Sequence, residues 1–257
     1  SPDGKYWEII SSGYRNIFDG GFNRDGELFT YDADMEYDFN TSWYRPTRIC
    51  HVTSGSMWGW RNGTGKRPEF YPDTLPPVIN IGPGSPTGTT FGYGAKFPAK
   101  YQDAMYILDW SWGKIHAVHM TPNGSSYTAT KETFITGSPL PVTDAIIHPD
   151  DGAMYFTIGG RRVQSGLYRV TYVGKESTAL VKHKPNVNEL ARLRHRLEQF
   201  HGRQHSDALN AAWPHLDHPD RFVRWAAITA VQHQPLAKWK DRALNEKNSN
   251  QRVAALL

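Results

Sequence analysis

The 257-residue chain has a single cysteine, Cys50, so it has no internal disulfide framework, no multi-cysteine zinc site and no Cys-x-x-Cys-His attachment for a c-type haem. One thiol set in a Trp- and Arg-rich stretch reads as a small core filler, not as a nucleophile. No run approaches the roughly 18 consecutive apolar residues that a membrane helix needs. The opening Ser1-Pro2-Asp3-Gly4 has no charged-then-apolar leader, although a signal peptide removed upstream is compatible with it. Blocks of one charge are missing too. Residues 1–175 carry 16 Lys and Arg against 17 Asp and Glu, and residues 176–257 carry 13 against 8, with that excess interleaved among Glu189, Glu198, Asp207, Asp217 and Asp220. An interleaved excess is a solvated helical face, so no nucleic-acid partner is expected.

Turn formers and aromatics are plentiful. With 23 Gly, 17 Pro and 13% aromatic residues, the composition is too apolar for disorder and suits short strands joined by tight turns. A phrase made of an apolar pair, an Asp-Gly turn and an apolar strand recurs. It appears as Gly21-Phe22-Asn23-Arg24-Asp25-Gly26-Glu27-Leu28-Phe29 and again as Ile146-Ile147-His148-Pro149-Asp150-Asp151-Gly152-Ala153-Met154-Tyr155-Phe156. A copy weaker at the turn runs from Phe91-Gly92 to Asp103-Ala104-Met105-Tyr106-Ile107-Leu108. The later copies start 48 residues apart, at Asp103 and Asp151, and each continues into a further strand, Lys114–His119 and Gly166–Tyr172. A period of about 40 to 50 residues with roughly four strands each is that of propeller blades. The expected fold is therefore the C-terminal part of a β-propeller, about three blades of an incomplete ring. Residues 37–90, dense in Trp, Arg, Gly and Pro, are expected to be an insertion lying as loops on one face.

Near residue 175 the spacing changes to that of helices. The expected organisation is a propeller fragment over 1–175, a linker over 176–187 and a truncated HEAT-like helical repeat over 188–257. Leu190, Leu193, Leu197 and Phe200 share one helical face. Leu209, Ala212, Trp213 and Leu216 repeat the pattern before His218-Pro219-Asp220, and Asp220 is placed to cap a helix carrying Val223, Ala226, Ala227, Ala230 and Val231. The run from Leu216 to Ala227 resembles the interior of a HEAT repeat. Such units need about three neighbours to bury their faces, so the helical pattern is expected to continue past Leu257.

The phrase Gly13-Tyr14-Arg15-Asn16 leading to Phe22 and Asp25-Gly26 resembles a blade of the glucose/sorbosone dehydrogenase family. Leu28-Phe29-Thr30-Tyr31-Asp32, Met57-Trp58-Gly59-Trp60, Pro83-Gly84-Ser85-Pro86-Thr87-Gly88, Lys96-Phe97-Pro98 and Thr143-Asp144 follow in the family's order. The wording of Tyr31–Glu36, Phe91–Pro98 and Ser165–Tyr172 is similar to large planctomycete-type proteins that join such a propeller to HEAT repeats and a c-type cytochrome domain. The resemblance implies an exported, periplasmic or extracellular oxidoreductase acting on a sugar or related alcohol through pyrroloquinoline quinone (PQQ) and calcium. It implies that electrons pass to a haem domain outside this chain, with no haem in the chain itself, and that a protein partner binds through the HEAT region. Arg15 and Asn16 match the family's cofactor-contacting pair, with Asp144 across the channel. The family's catalytic His belongs to a blade upstream of residue 1, so no catalytic residue is assigned. Where the family has Gln, Lys and two Arg, this chain has Phe18, Ser111 and residues near Pro141 and Thr143; Asp34 replaces a calcium-loop glycine. The alternative reading is a non-catalytic carbohydrate- or protein-binding propeller on a HEAT scaffold.

Further candidates come from the residues themselves. Asp32, Asp34, Glu36 and Asp38 alternate, so in an extended strand their carboxylates crowd one face. Either Ca²⁺, with Asp32, Asp34 and Glu36 as ligands, or the nearby Arg45, Arg48 and Arg61 would answer them. His116 and His119 fall on opposite faces of a strand, which argues against joint metal ligation. The pairs Trp58/Trp60 and Trp110/Trp112 have the spacing of one strand face, suited to packing a core or stacking on a sugar ring.

Overall fold

A computed structural model describes residues 1–61, 69–71, 74–186 and 188–256. The first strand, β1 (Ser11–Ser12), precedes a four-stranded antiparallel sheet. That sheet contains β2 (Gly20–Phe22), β3 (Leu28–Asp32), β4 (Thr47–Val52) and, beyond the short β5 (Ser56–Met57), β6 (Ile79–Gly82), in the order β2-β3-β4-β6. β5 pairs in parallel with β1. The second sheet is β7 (Pro86–Phe91), β8 (Met105–Asp109), β9 (Lys114–Asn123) and β10 (Ser126–Thr136), with the short helix α1 (Ala99–Gln102) inside its first connection. The third is β11 (Val142–Ile147), β12 (Met154–Ile158) and β13 (Gly166–Val170). The hairpins β2–β3 and β11–β12 turn at Gly26 (φ 82°) and Gly152 (φ 68°), the two Asp-Gly sites, where a residue without Cβ takes positive φ at no cost.

The sheets stack in chain order because the middle one is apolar on both faces. Along β8, Met105 and Ile107 pack with Phe29, Tyr31 and Ile49 of the first sheet. Tyr106 and Leu108 pack with Val142, Met154 and Phe156 of the third. Period-two alternation thus buries both sides of one strand, as stacked sheets require. The first strands of the sheets lie side by side, β7 between β2 and β11. Thr89 donates its backbone N–H to Asp19 Oδ2 at 2.8 Å and the Thr87 hydroxyl donates to the Val142 carbonyl at 2.9 Å. A Cβ on Gly88 would fall 2.4 Å from Asp144 Oδ1, so only glycine allows the third sheet this close.

Residues 37–90 are not an insertion. They hold β4 and β6, the last two strands of the first sheet, and β7, which opens the second. Abundant Trp, Arg and Pro obscure the alternating Thr47-Arg48-Ile49-Cys50-His51-Val52, whose polar members are also buried. Within that stretch, residues 62–68, 72 and 73 lie outside the described residues, as does Leu257 in the helical part.

Helices α2 (Glu189–Glu198), α3 (Ala208–Ala212), α4 (Arg221–Gln232), α5 (Lys240–Leu244) and α6 (Ser249–Leu256) form a separate apolar core around Leu197, Trp213, Leu216, Val223 and Ala227. Asp220 caps α4 as the sequence indicates, its Oδ1 accepting from the Phe222 and Val223 N–H groups at 3.0 Å. Its carboxylate also accepts from the Ser125 N–H and hydroxyl at 2.7 and 2.6 Å, so one side chain both starts the helix and ties it to the β9–β10 hairpin.

A buried polar cluster, not apparent from periodicity, reinforces that junction. Arg194, 1% exposed, pairs with Glu27 and with Glu198 and donates to the Ser125 carbonyl at 3.1 Å. Glu27 also takes His51 Nε2 and His195 Nε2, each at 2.9 Å. Burial alone would raise the Glu27 carboxyl; the hydrogen bonds from His195 and His51 and the charge of Arg194 outweigh it and hold the group well below the usual carboxylate range. The segment before α2 is fastened too, with Gln102 bonding Ala179 and Val181 and Asp25 bonding His183 and Asn186.

Burial disfavours the charged form of several histidines. His51 and His215 lie below their ordinary pKa, and burial, aided by Lys131 and Lys114, lowers His116 from 6.5 to about 4. His201 is likewise pushed down to about 4 by burial. In the unfolded chain these groups take up protons near 6.5, whereas in the folded chain His116 and His201 do so only near 4. Their contribution is therefore fully present above the unfolded value and is lost as pH falls through that window. Melting temperature measured across the window should fall on acidification. The fall should be shallower in His116→Leu, whose ring Nδ1 has no hydrogen-bond partner among the described residues. An unchanged slope in that variant would remove His116 from the account.

Candidate functional site

A cleft of about 460 Å³ opens where the first two sheets meet. Arg15 and Asn16 reach it from the loop after β1, Ala33, Asp34 and Glu36 from the segment after β3, Ser85 from the β6–β7 connection, and Ser111 and Trp112 from the turn after β8. Each of these is a loop at a strand end, and Pro86, the first residue of β7, joins them.

Two buried aspartates set those loops. β3 and β8 are matching strands, and each ends in Asp. Asp32 is fully buried and accepts from the Arg15 and Asn16 N–H groups and from its neighbour Ala33, at 3.0, 3.0 and 2.9 Å. Asp109 accepts from the N–H groups of Ser85 and Ser111 at 3.1 Å and of Trp112 at 3.3 Å. A carboxylate that accepts several amides fixes the backbone while leaving the side chains beyond it free for a ligand. Asp32 is also ion-paired to Arg48, itself fully buried, at 2.8 Å, and Arg48 donates to the Trp58 carbonyl at 3.1 Å. Burial pushes the carboxyls of Asp32 and Asp109 up, against Arg48 in the first case and the amides in the second.

Arg15 and Asn16 therefore both line the cleft, and the Arg15 guanidinium is ion-paired to Glu36. Asp144 does not join them. It lies on β11, where its side chain bonds its neighbour Ala145 N–H at 2.8 Å and packs over Gly88. Asp32, Asp34 and Glu36 do not share a strand face, because β3 ends at Asp32 and Glu36–Asp38 is a 3₁₀ turn. Asp32 faces Arg48, Asp34 accepts from the Tyr44 hydroxyl at 2.7 Å, and Glu36 meets Arg15. Among the described residues no cluster of three or more His, Cys, Asp or Glu side chains is arranged to hold a metal ion. The residues present do not fit calcium, and arginine answers Asp32 and Glu36 instead.

His116 and His119 diverge as their strand spacing requires, with His119 bonding Glu132 at 2.8 Å. Trp110 and Trp112 do not share a strand face, because they sit in the turn after β8. Trp110 donates to the carbonyl of Gly159, just past β12 of the third sheet, at 2.8 Å, whereas Trp112 donates to the Pro83 carbonyl at 2.9 Å and stays 56% exposed at the cleft. Trp58 is fully buried with Cys50, Leu75 and Phe222. Burial pushes the Cys50 thiol up to about 12, which leaves it inert as a nucleophile.

PQQ is a polycarboxylate and asks for cations. Among the described residues the cleft offers one guanidinium, already paired, beside the carboxylates of Asp34 and Glu36. Ser111, where the resemblance expects a lysine, does line the cleft but brings no charge. The described residues do not fit the quinone.

No protein-family model matches the chain, and no curated protein matches it in sequence. Solved structures do match in shape. A structure described as an oxidoreductase, glucose dehydrogenase, from Thermus thermophilus aligns with a TM-score of 0.50 at 19% identity, over 63% of this chain and 47% of its own. Two further glucose dehydrogenase structures align with TM-scores of 0.52, at 17% and 16% identity, over 64% and 66% of this chain and 46% and 48% of theirs. The chain thus spans about half the length of these neighbours and shares part of their fold.

The Asp32–Arg48 pair makes a direct test of what holds the cleft. Arg48→Ala leaves a buried carboxylate without its counter-charge, a loss of about 3–5 kcal/mol on denaturant unfolding. The double variant Asp32→Asn/Arg48→Met removes both charges and should recover part of that stability in a double-mutant cycle. Additive losses would mean that the pair is not coupled.

Proposed function

We propose that the cleft binds a sugar or polyol, and that the chain is the closing part of a sugar dehydrogenase-like β-propeller whose described residues serve binding. One observation carries this: Trp112, an exposed indole fixed through its N–H, stands beside Asn16, Ser85, Ser111, Asp34 and Arg15, whose donors and acceptors suit a ring of hydroxyl groups. The partial likeness to glucose dehydrogenases supports the choice of ligand. In this reading the helical segment, HEAT-like in sequence, is a scaffold docked on the propeller and available to a protein partner.

The second reading is an exported oxidoreductase that takes electrons from a sugar or alcohol to a haem domain outside this chain. The placement of Arg15 and Asn16 at the cleft favours it. It requires cations outside the described residues to hold the quinone.

Calorimetric titration of the chain with glucose and related sugars tests the first reading. Binding is expected, and Trp112→Ala should weaken it about tenfold, the worth of an aromatic stacking contact, with little change in melting temperature. Absence of binding by the parent chain to any sugar tried would end the sugar-site reading, and tight binding of the quinone would restore the second.

A further inference from the structure

Resting on the sugar-site reading, we propose that the cleft selects sugars that carry a protonated amine over their neutral and anionic counterparts. The argument is one of charge. Two carboxylates, Asp34 and Glu36, line the cleft against one guanidinium, and Glu36 already engages it. Asp34 borders the same space, its residue only 6% exposed, and its hydrogen bond comes from the neutral Tyr44 hydroxyl. Directly behind the Ser111–Trp112 turn lies a further buried carboxylate, Asp109, bonded to backbone amides. The other buried carboxylate, Asp32, is neutralised by Arg48.

Among the described residues that line it, the cleft therefore holds two carboxylates against one guanidinium, and burial and the neighbouring Glu36 disfavour a charged Asp34 more than the Tyr44 hydroxyl and Arg15 favour it. An ammonium group entering the cleft relieves that repulsion, while a carboxylate or phosphate adds to it. Trp112 contributes in the same sense, because the exposed face of an indole attracts a cation. A neutral hydroxyl gains neither term. The ring of the sugar would stack on Trp112 and its amine would lie toward Asp34, the carboxylate of the cleft that no ion pair among the described residues engages.

The test is titration calorimetry of the whole chain at neutral pH with glucosamine, glucose, N-acetylglucosamine and glucuronate. Glucosamine should bind about tenfold more tightly than glucose or its N-acetyl derivative, and glucuronate should bind weakest. The preference should shrink as salt is raised, since it is electrostatic. Asp34→Asn should bring glucosamine down to the affinity that the same variant shows for glucose. If that variant melts early, Glu36→Gln supplies a second reading of the same charge, reducing the glucosamine preference and freeing Arg15 to improve glucuronate binding. Equal affinities for glucosamine and glucose, or a preference that persists in a folded Asp34→Asn, would overturn the proposal and leave the sugar site standing. Binding of none of these sugars would overturn the sugar-site reading itself.

Discussion

The cleft depends on a buried ion pair that does not itself line it. Asp32 and Arg48 sit opposite each other on β3 and β4, both fully buried, and a pair so placed gains its full electrostatic worth only while both members stay. Asp32 spends its remaining acceptor capacity on the N–H groups of Arg15 and Asn16, so the arm that carries both side chains is set from below. Arg48 turns the same constraint outward through the Trp58 carbonyl. Moving either member moves the backbone of the cleft.

Trp58 links that pair to the helices. It stacks on Tyr14, one residue before Arg15, and shares a core with Phe222 of α4, while the Trp225 indole donates to the Gly55 carbonyl at 2.8 Å. Arg221 adds hydrogen bonds to the carbonyls of Glu69, Tyr71 and Thr74. Cys50, on the face of the first sheet turned away from the second, is thus covered by Trp58 and Leu75 together with Phe222 of α4. The helical segment is therefore part of the support of the cleft, reached through contiguous packing and hydrogen bonds.

Much of the β architecture was legible because its signals are local. Asp25-Gly26 and Asp151-Gly152 announce hairpins by turn chemistry, and the apolar run Met105–Leu108 announces a strand buried on both sides. Asp220 was legible as a cap for the same reason. The strand Thr47–Val52 was hidden because its buried polar side chains, Arg48 and His51, break the apolar pattern and find partners only in the folded chain. The Glu27–Arg194 contact joins residues 167 apart and has no periodic signature at all, although an Arg between Leu193 and Leu197 on an apolar helical face hints at a buried counter-charge. The acidic run from Asp32 was visible, and so was Arg48 as one of the arginines that could answer it, but the geometry of the run was not. Alternation suggested one crowded face, and the strand instead ends at its first member.

That ending explains why matching strands yield unlike results. β3 and β8 both close on an aspartate that gathers amide N–H groups from the loops above, so the repeat preserves a way of holding loops. What differs is the counter-charge. Asp32 faces an arginine one strand away, whereas the charge acting on Asp109 comes from Lys114, a weaker influence than the amides around it. The two matching strands thus give the cleft a similar scaffold on both sides without the same charge balance. Of the carboxylates that remain, Asp34 is the one the proposed amine would answer: it lies after β3, beside the neutralised Asp32, and its hydrogen bond comes from the uncharged Tyr44 hydroxyl.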